Sequence, residues 1–481
     1  MSPRPRFWLF LLALILFSRL FQTPVLWPEE GLPLAAAQQV WAGGVLYRDV
    51  WFDKPPLLAW FYAGVLRAAG PSGYALRLTG VLYILLVTLT GHGLARRLWG
   101  DGAARWTAFF LAFFTGFYVH SAAVPLAADL LLLLPHLAVF YFLAHERPGL
   151  AGLCAGLAFH VNSKAVLALA AAAVWVLLLP SRRGLGRLAA GFAAAGAAGL
   201  AAVALTGGWD GYVEQVWRWG WAYAGAGFTD RPWALGFERT LNYLGFHAAL
   251  ALGAAAYFWR GPGDPTERRQ IALWMAISFL GVVAGARFFP RYFFQLLPPL
   301  ALAAGAGWAH LSRRRIALAA LAIALAVPAV RFGRINLWLA LHRPFVWRDA
   351  AIDADSRRAA AHVARLSAPG EKIFVWGFRP EIYFHSRRLA ASRFLESQPL
   401  TGVLADRHLE RAEAFLPERA AGRRRELARE LEANPPAILV DGLGPYNPGL
   451  AIENYDELRP LLGRYWLAEQ TAGARIFRRA D

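Results

Sequence analysis

The chain is short of charge, almost without cysteine, and nearly without lysine. One cysteine in 481 residues, Cys154, excludes an intrachain disulfide framework. Only 17% of the residues are charged, against about 25% in an ordinary soluble protein, too few to cover a soluble chain of this length. There is no internal repeat, no Walker-type loop and no G-x-G-x-x-G after a predicted strand, so no nucleotide pocket is indicated. His92, His136 and His160 are scattered without metal-ligand spacing and are expected to be packing residues. Of 50 basic residues only Lys54, Lys164 and Lys372 are lysines. Arginine is the default cation, so each lysine merits inspection.

What the chain has in plenty is apolar sequence: 57% of its residues are hydrophobic and its mean hydropathy is +0.36. Apolar runs approaching the ~20 residues of a membrane helix recur along it. Eleven spans are expected, near 7–27, 74–97, 104–120, 124–144, 149–163, 164–180, 187–207, 240–259, 270–286, 293–310 and 315–334. The net charge of +18 would suggest nucleic acid on a soluble chain, but many arginines sit in short connections between spans. With Arg4 and Arg6 in the cytoplasm, Arg96, Arg97, Arg105, Arg147, Arg182, Arg183, Arg187, Arg260, Arg268, Arg269, Arg313, Arg314 and Arg315 fall on the same side. The positive-inside rule then puts the C-terminus outside. The basic start and Ala35-Ala36-Ala37 also suit a cleaved signal peptide. The apolar part reaches Trp27, however, which is long for a signal core, so an uncleaved first span is expected.

The expected architecture is mainly α: a polytopic membrane part over 1–335 and a small α/β extracytoplasmic domain over 336–481. Within the first outer connection, 34–41 and 57–66 have helical apolar spacing and are predicted to lie in the interface plane. A second outer segment, 208–239, is dense in tryptophan and tyrosine, which suits either an aromatic belt or contact with lipid tails and sugar faces. In the C-terminal part, 372–376 and 437–440 read as buried strands. Residues 405–432 are expected to form a charged helix, 454–462 a helix, and 465–477 a hairpin. Arg423-Arg424-Arg425 is predicted to be a solvated helix face, and the D-x-D at Asp353 and Asp355 has no Gly-rich loop beside it.

Charges at or just beyond membrane depth are costly and usually functional. Glu29 and Glu30 follow the first span; repulsion between them should hold back one proton, which suits general-base work. Pro28 before them equally suits a plain acidic helix start. Asp53 and Lys54 precede Pro55-Pro56 at the next predicted helix, where an ammonium at headgroup level can meet a phosphate. Asp129 lies a few residues inside the fourth span, Lys164 joins two short apolar runs, and Arg287, Arg291 and Tyr292 mark a later outer turn. These form an expected outward-facing site, with lipid snorkelling as the alternative for the cations.

The order of these residues resembles the polyprenyl-phosphate-dependent glycosyltransferases of the GT-C class. It is most similar to bacterial relatives of protein O-mannosyltransferases and of the lipid A aminoarabinose transferase. Asp53-Lys54-Pro55-Pro56-Leu57-Leu58-Ala59-Trp60 and Arg291-Tyr292 through Leu296-Leu297-Pro298-Pro299 are the most specific pieces, within a resemblance over about 1–310. It implies an inverting transfer of a sugar from a polyprenyl-phosphate carrier to an extracytoplasmic lipid, glycan or protein, in the inner membrane of a bacterial cell. Glu29 and Glu30 match the family's acidic pair, usually Asp-Glu, and so the base. Lys54 matches the lysine that approaches the carrier phosphate, and Lys164 and Arg291 match basic positions lining the cavity. No cofactor is implied; a divalent metal is compatible but not required. The rival reading from another class is a transporter or flippase of lipid-linked sugars, which would show inverted repeats and helices broken at the midplane. A third is a receptor whose outer domain binds.

Overall fold

The computed structural model describes residues 5–179, 184–312, 314–342, 347–404 and 409–480. Arg4, Arg182, Arg183 and Arg313, used above for sidedness, lie outside these, as does 405–408 of the expected charged helix. By its contacts the chain divides into two compact units, one of Met1–Thr23, Tyr74–Ala202 and Thr229–Phe345, the other of Pro24–Gly73, Val203–Phe228 and Val346–Asp481.

The first unit is helical. Among the described residues, four helices are long and apolar enough to cross a membrane: Pro5–Gln22, Gly73–Phe114, Gly184–Leu205 and Arg315–Ala340. The 42-residue run Gly73–Phe114 is two helices joined where Gly100 takes φ 83°, a left-handed conformation open to glycine at little steric cost. The expected spans 74–97 and 104–120 meet at that break. Shorter helices fill the remaining expected spans, among them Pro148–Val161, Val166–Leu177, Ala248–Arg260, Pro265–Val283 and Leu297–Leu311. Ala248–Arg260 and Leu297–Leu311 pack backbone to backbone: a Cβ on Gly307 would stand 1.8 Å from the Gly253 carbonyl oxygen. Small residues permit such approaches between apolar helices. Arg19 is fully buried and donates to the carbonyls of Val124 (2.8 Å), Ala123 (2.5 Å) and Thr115 (3.2 Å).

The fourth expected span is not continuous. Residues 124–127 are non-helical, and helix resumes as Ala128–Leu131 and Leu133–Ala144. Pro125 has no N–H to donate to a continuing helix, and the chain leaves the helix after Val124, which is still in the right-handed helical region. Asp129 therefore stands in a first helical turn instead of inside a span.

The second unit holds a four-stranded sheet, β1 (Ile373–Trp376), β2 (Ile438–Asp441), β3 (Tyr465–Gln470) and β4 (Arg475–Arg479), in the order β1-β2-β4-β3. β1 and β2 are parallel, with Ile373 opposite Ile438 and Val375 opposite Val440; β4 is antiparallel to both β2 and β3. The parallel strands β1 and β2 are buried throughout, as their apolar runs require. The expected strands and hairpin are found here. The charged helix is shorter than expected, Pro417–Ala433, because Pro417 occupies the first helical position and Leu416 before it is held out of the helical region. The segment expected as helix 454–462 is two short turns, Ile452–Asn454 and Arg459–Leu462.

The sheet's core extends beyond the C-terminal sequence. Trp51 and Trp219 belong to the same buried cluster as Phe374, Trp376, Phe394 and Leu439. Arg423 stands between them, its guanidinium carbon 4.6 Å from each indole and its Nη2 3.1 Å from Glu214. The Arg423–Arg425 run is thus not a solvated face: Arg423 is buried, and Arg424 pairs with Glu457 at 2.9 Å. Part of the aromatic density of 208–239 is explained as core as well, since Trp219 is buried while Trp221 is exposed. Helix Pro28–Trp41 packs along Glu381–Ser386 and is pinned by the Trp27 indole, which donates to Asp349 at 2.8 Å.

Candidate active site

In the mixed unit the site is built on a loop, 45–55. Tyr47 is buried with φ 70°, an uncommon conformation for a bulky residue. Gln215 holds it: its Nε2 donates to the Tyr47 carbonyl at 2.7 Å and its Oε1 accepts from the Phe52 N–H at 2.8 Å. Gln215 sits in a π-helical turn, Val213–Arg218, a motif frequent at functional sites. The Tyr47 hydroxyl then donates to the Lys54 carbonyl at 2.7 Å. Pro55 takes φ -58° and ψ 155°, and Pro56 opens the helix Pro56–Ala69.

Lys54 donates to Asp53 at 2.7 Å, and 45% of its side chain is accessible against 11% for Asp53. Protein crowding opposes the ammonium's charge, but Asp53 outweighs it and Lys54 stays charged, above its usual pKa. A third group joins them. Trp51 donates its N–H to the Arg393 carbonyl at 2.8 Å, and the strand of chain that follows carries Glu396 into the field of Asp53 and Lys54. Burial, then the Asp53 charge, pushes the Glu396 carboxyl up to about 8 despite Lys54. Lys54 thus faces two acidic side chains, Asp53, which it pairs with, and the buried Glu396.

Glu29 and Glu30 fall in the first turn of Pro28–Trp41, with Pro28 at its first position. They are not equivalent: Glu30 is fully buried and Glu29 half-buried. Beside Gly31, whose added Cβ would lie 3.3 Å from Glu381 Oε2, sits a buried acid that the sequence did not single out. Ser356 donates to its Oε1 at 2.7 Å, Oε2 has no hydrogen-bond partner among the described residues, and burial lifts Glu381 to about 7. The D-x-D carboxylates are structural: Asp353 pairs with Arg357 at 2.6 Å and Asp355 with Arg379 at 2.6 Å.

In the helical unit five of the expected residues come together. Asp129 Oδ2 is 3.8 Å from Arg291 Nε, and its Oδ1 accepts from Asn162 Nδ2 at 3.1 Å. Asn162 Oδ1 in turn accepts the Lys164 N–H at 3.1 Å, and the Lys164 ammonium lies 3.2 Å from the centre of the Tyr292 ring. Arg291 and Arg239 both approach the Phe289 ring, at 5.2 and 5.6 Å. Arg287 is buried on a tight loop in which Gly285, Ala286 and Phe288 all take positive φ; its carbonyl accepts from Arg239 at 2.7 Å. Several cations resting on aromatic faces around a single carboxylate can receive an anion. Asn162 and Arg239 were not expected; Asn162 is legible only as the neighbour of Lys164.

Among the described residues no group of three His, Cys, Asp or Glu side chains is placed to hold a metal. The histidines serve packing: His136 accepts from Trp274 Nε1 at 2.9 Å, and His160 Nε2 lies 3.1 Å from the Gly196 carbonyl.

Residues 53–209, which begin at the Asp53-Lys54-Pro55-Pro56 loop, match the model of the dolichyl-phosphate-mannose-protein mannosyltransferase family. A search of the curated proteins returns no match. In fold the chain is similar to ArnT of Cupriavidus metallidurans, solved bound to undecaprenyl phosphate, with a TM-score of 0.64 and 15% identity over 98% of this chain and 96% of that one. It is also similar to the archaeal oligosaccharyltransferase AglB of Archaeoglobus fulgidus, at TM-score 0.51 and 12% identity over 99% of this chain and 74% of that one. The mycobacterial arabinofuranosyltransferase AftD gives a TM-score of 0.55 and 15% identity over 100% of this chain and 42% of that one. The resemblance to GT-C membrane glycosyltransferases thus holds in sequence over part of the chain and in fold over nearly all of it.

Proposed function

We propose that this protein transfers a sugar from a polyprenyl-phosphate carrier to an acceptor outside the cytoplasm, with inversion at the anomeric carbon. The observation that carries the reading is Lys54: an accessible ammonium, fixed by Asp53 and by the Tyr47–Gln215 clamp, at the start of the segment that matches the mannosyltransferase family. The ArnT structure, named as bound to undecaprenyl phosphate, supports the choice of donor.

In the proposed reaction a carboxylate takes the proton of the acceptor hydroxyl. That oxygen attacks the anomeric carbon on the face opposite the phosphate, the carbon–oxygen bond to phosphate breaks, and its electron pair stays on the phosphate oxygen. Lys54 meets the growing phosphate charge, as preorganised donors do. Between the acidic pair, Glu29 is the base, because Glu30 has no accessible surface from which to meet an acceptor. Asp53 positions Lys54. Lys164, Arg287, Arg291 and Tyr292 form the anion-receiving group of the helical unit, with Asp129 orienting Arg291. Fixed lysine and arginine charges supply the electrostatics, so a divalent metal is not required. The proposed topology has eleven spans, the N-terminus in the cytoplasm and residues 336–481 outside, in a bacterial inner membrane.

The test is mass spectrometry of envelope glycans, glycolipids and glycoproteins from a deletion strain. Loss of one sugar from one class of molecule supports the reading and identifies sugar and acceptor together; an unchanged envelope opposes it.

A further inference from the structure

Tyr83 stands on helix Gly73–Phe114 of the helical unit and takes no part in the reaction above. It is buried, and its hydroxyl makes two hydrogen bonds to the interrupted fourth span. It donates to the Leu131 carbonyl at 2.5 Å and accepts from the Leu134 N–H at 3.1 Å. The sequence supplies the reason. In an unbroken helix the N–H four residues on would serve the Leu131 carbonyl, but that residue is Pro135, which has none. The Leu134 N–H would serve Leu130 in such a helix; here it goes to Tyr83. A single hydroxyl therefore answers a backbone acceptor and a backbone donor where Ala128–Leu131 gives way to Leu133–Ala144. Leaving either unpaired among apolar helices is costly.

The same stretch is held at its other end. Arg19 donates to the carbonyls of Ala123 and Val124, where the chain leaves the helix His120–Ala123. Residues 125–131 are thus tied at both ends by side chains of two other helices, and Asp129 lies between the ties. Ala128–Leu131 is a single turn, and an isolated turn has little hold on its own conformation. The two oxygens of Asp129 serve different partners, Oδ2 facing Arg291 Nε at 3.8 Å and Oδ1 accepting from Asn162 at 3.1 Å. Rotation of the turn would disturb both together, and Asn162 also holds the Lys164 N–H. The placement of Arg291 and Lys164 therefore depends on a turn whose far end is fixed by Tyr83.

We propose that Tyr83 is a positioning residue of the anion-receiving group: by fixing the Leu131 carbonyl and the Leu134 N–H it sets the turn that aims Asp129 at Arg291. The proposal rests on the reading that Arg291 and its neighbours receive the lipid-linked phosphate. Equilibrium binding of radiolabelled undecaprenyl phosphate to the full chain in nanodiscs tests it without transfer. Tyr83→Phe removes only the hydroxyl and should weaken binding about tenfold, and Arg291→Gln should weaken it at least as much. The double variant should lose little beyond Arg291→Gln alone, as residues acting through one another do. Pro135→Ala separates positioning from stability, because alanine returns a backbone N–H to the Leu131 carbonyl. Added to Tyr83→Phe it should raise the melting temperature again, which keeps the test open where Tyr83→Phe alone folds poorly. Binding should stay weak, since the turn has lost its tie to helix Gly73–Phe114. Wild-type affinity in Tyr83→Phe, affinity restored together with stability by Pro135→Ala, or fully additive losses with Arg291→Gln would overturn the positioning role while the anion-receiving reading stands. Wild-type affinity in Arg291→Gln would overturn that reading and this proposal with it.

Discussion

Gln215→Leu is expected to damage donor use although Gln215 touches neither charge of the Lys54 pair. The side chain is buried and makes two hydrogen bonds to the loop, one from the Phe52 N–H and one to the Tyr47 carbonyl. Phe52 and Tyr47 are themselves buried, so leucine leaves one backbone donor and one acceptor without partners. Each such orphan costs about 1–3 kcal/mol, giving roughly 2–6 kcal/mol if the loop kept its shape. Releasing Tyr47 from its positive φ is the cheaper response, and it frees the hydroxyl that fixes the Lys54 carbonyl. The KM for the lipid-linked donor should therefore rise about tenfold or more, at about 1.4 kcal/mol per decade, with a smaller change in kcat. A merely destabilising change would lower the amount of active protein and leave that KM alone. Lys54→Ala supplies the second check: if Gln215 acts through the ammonium, the double variant should lose little more than Lys54→Ala by itself. Fully additive losses, or a wild-type donor KM in Gln215→Leu, would refute the positioning role.

Further outcomes follow from the same structure. Lys54→Ala should weaken use of limiting donor by about 1.5–3 kcal/mol, the value of a hydrogen bond to a charged group, and Lys54→Arg should rescue it only in part because the planar fork places its donors differently; initial rates at low donor check both. Glu381 binds a proton in the folded protein between about pH 4.5 and 7 that the unfolded chain has released, so stability should fall as pH rises through that window, by at most about 3 kcal/mol. Glu381→Gln should flatten this dependence in melting curves at pH 5 and 8, and an unchanged slope would contradict the assignment. A reporter fused after Arg334 should be active outside the cytoplasm and one at Pro262 inside; both on one side would end the eleven-span topology.

Where one local rule governs, the sequence was legible. The strands 372–376 and 437–440 and the hairpin 465–477 follow from apolar runs and alternation, and the helix starts at Pro28 and Pro56 from proline's fixed φ. The fourth span was overextended because Leu130–Leu134 hides the interruption at Pro125. Arg423 was misjudged because its partners, Trp51, Trp219 and Glu214, come from two other segments of the chain. The same limit applies to the candidate site. Asp53 and Lys54 are adjacent and could be singled out, and Asp129, Lys164 and Arg291 are conspicuous as charges among apolar residues. Glu396 and Gln215 reach the Lys54 loop only through tertiary packing, one beside Phe394 and the other inside a π-helical turn. No periodicity or motif reports such a contact.

The central claim is a carboxylate-assisted transfer from a lipid-phosphate sugar, and the lipid extract of a complemented deletion strain tests it most directly. Wild-type protein should restore the missing envelope sugar. Glu29→Gln, equal in volume but unable to take the acceptor's proton, should fall short by the 10²–10⁴-fold typical of a lost general base and leave the polyprenyl-phosphate-linked sugar to accumulate, as the deletion itself does. Glu30→Gln should do less, its side chain being closed to the acceptor. Normal envelope sugar and no accumulated donor in cells carrying Glu29→Gln would contradict the account.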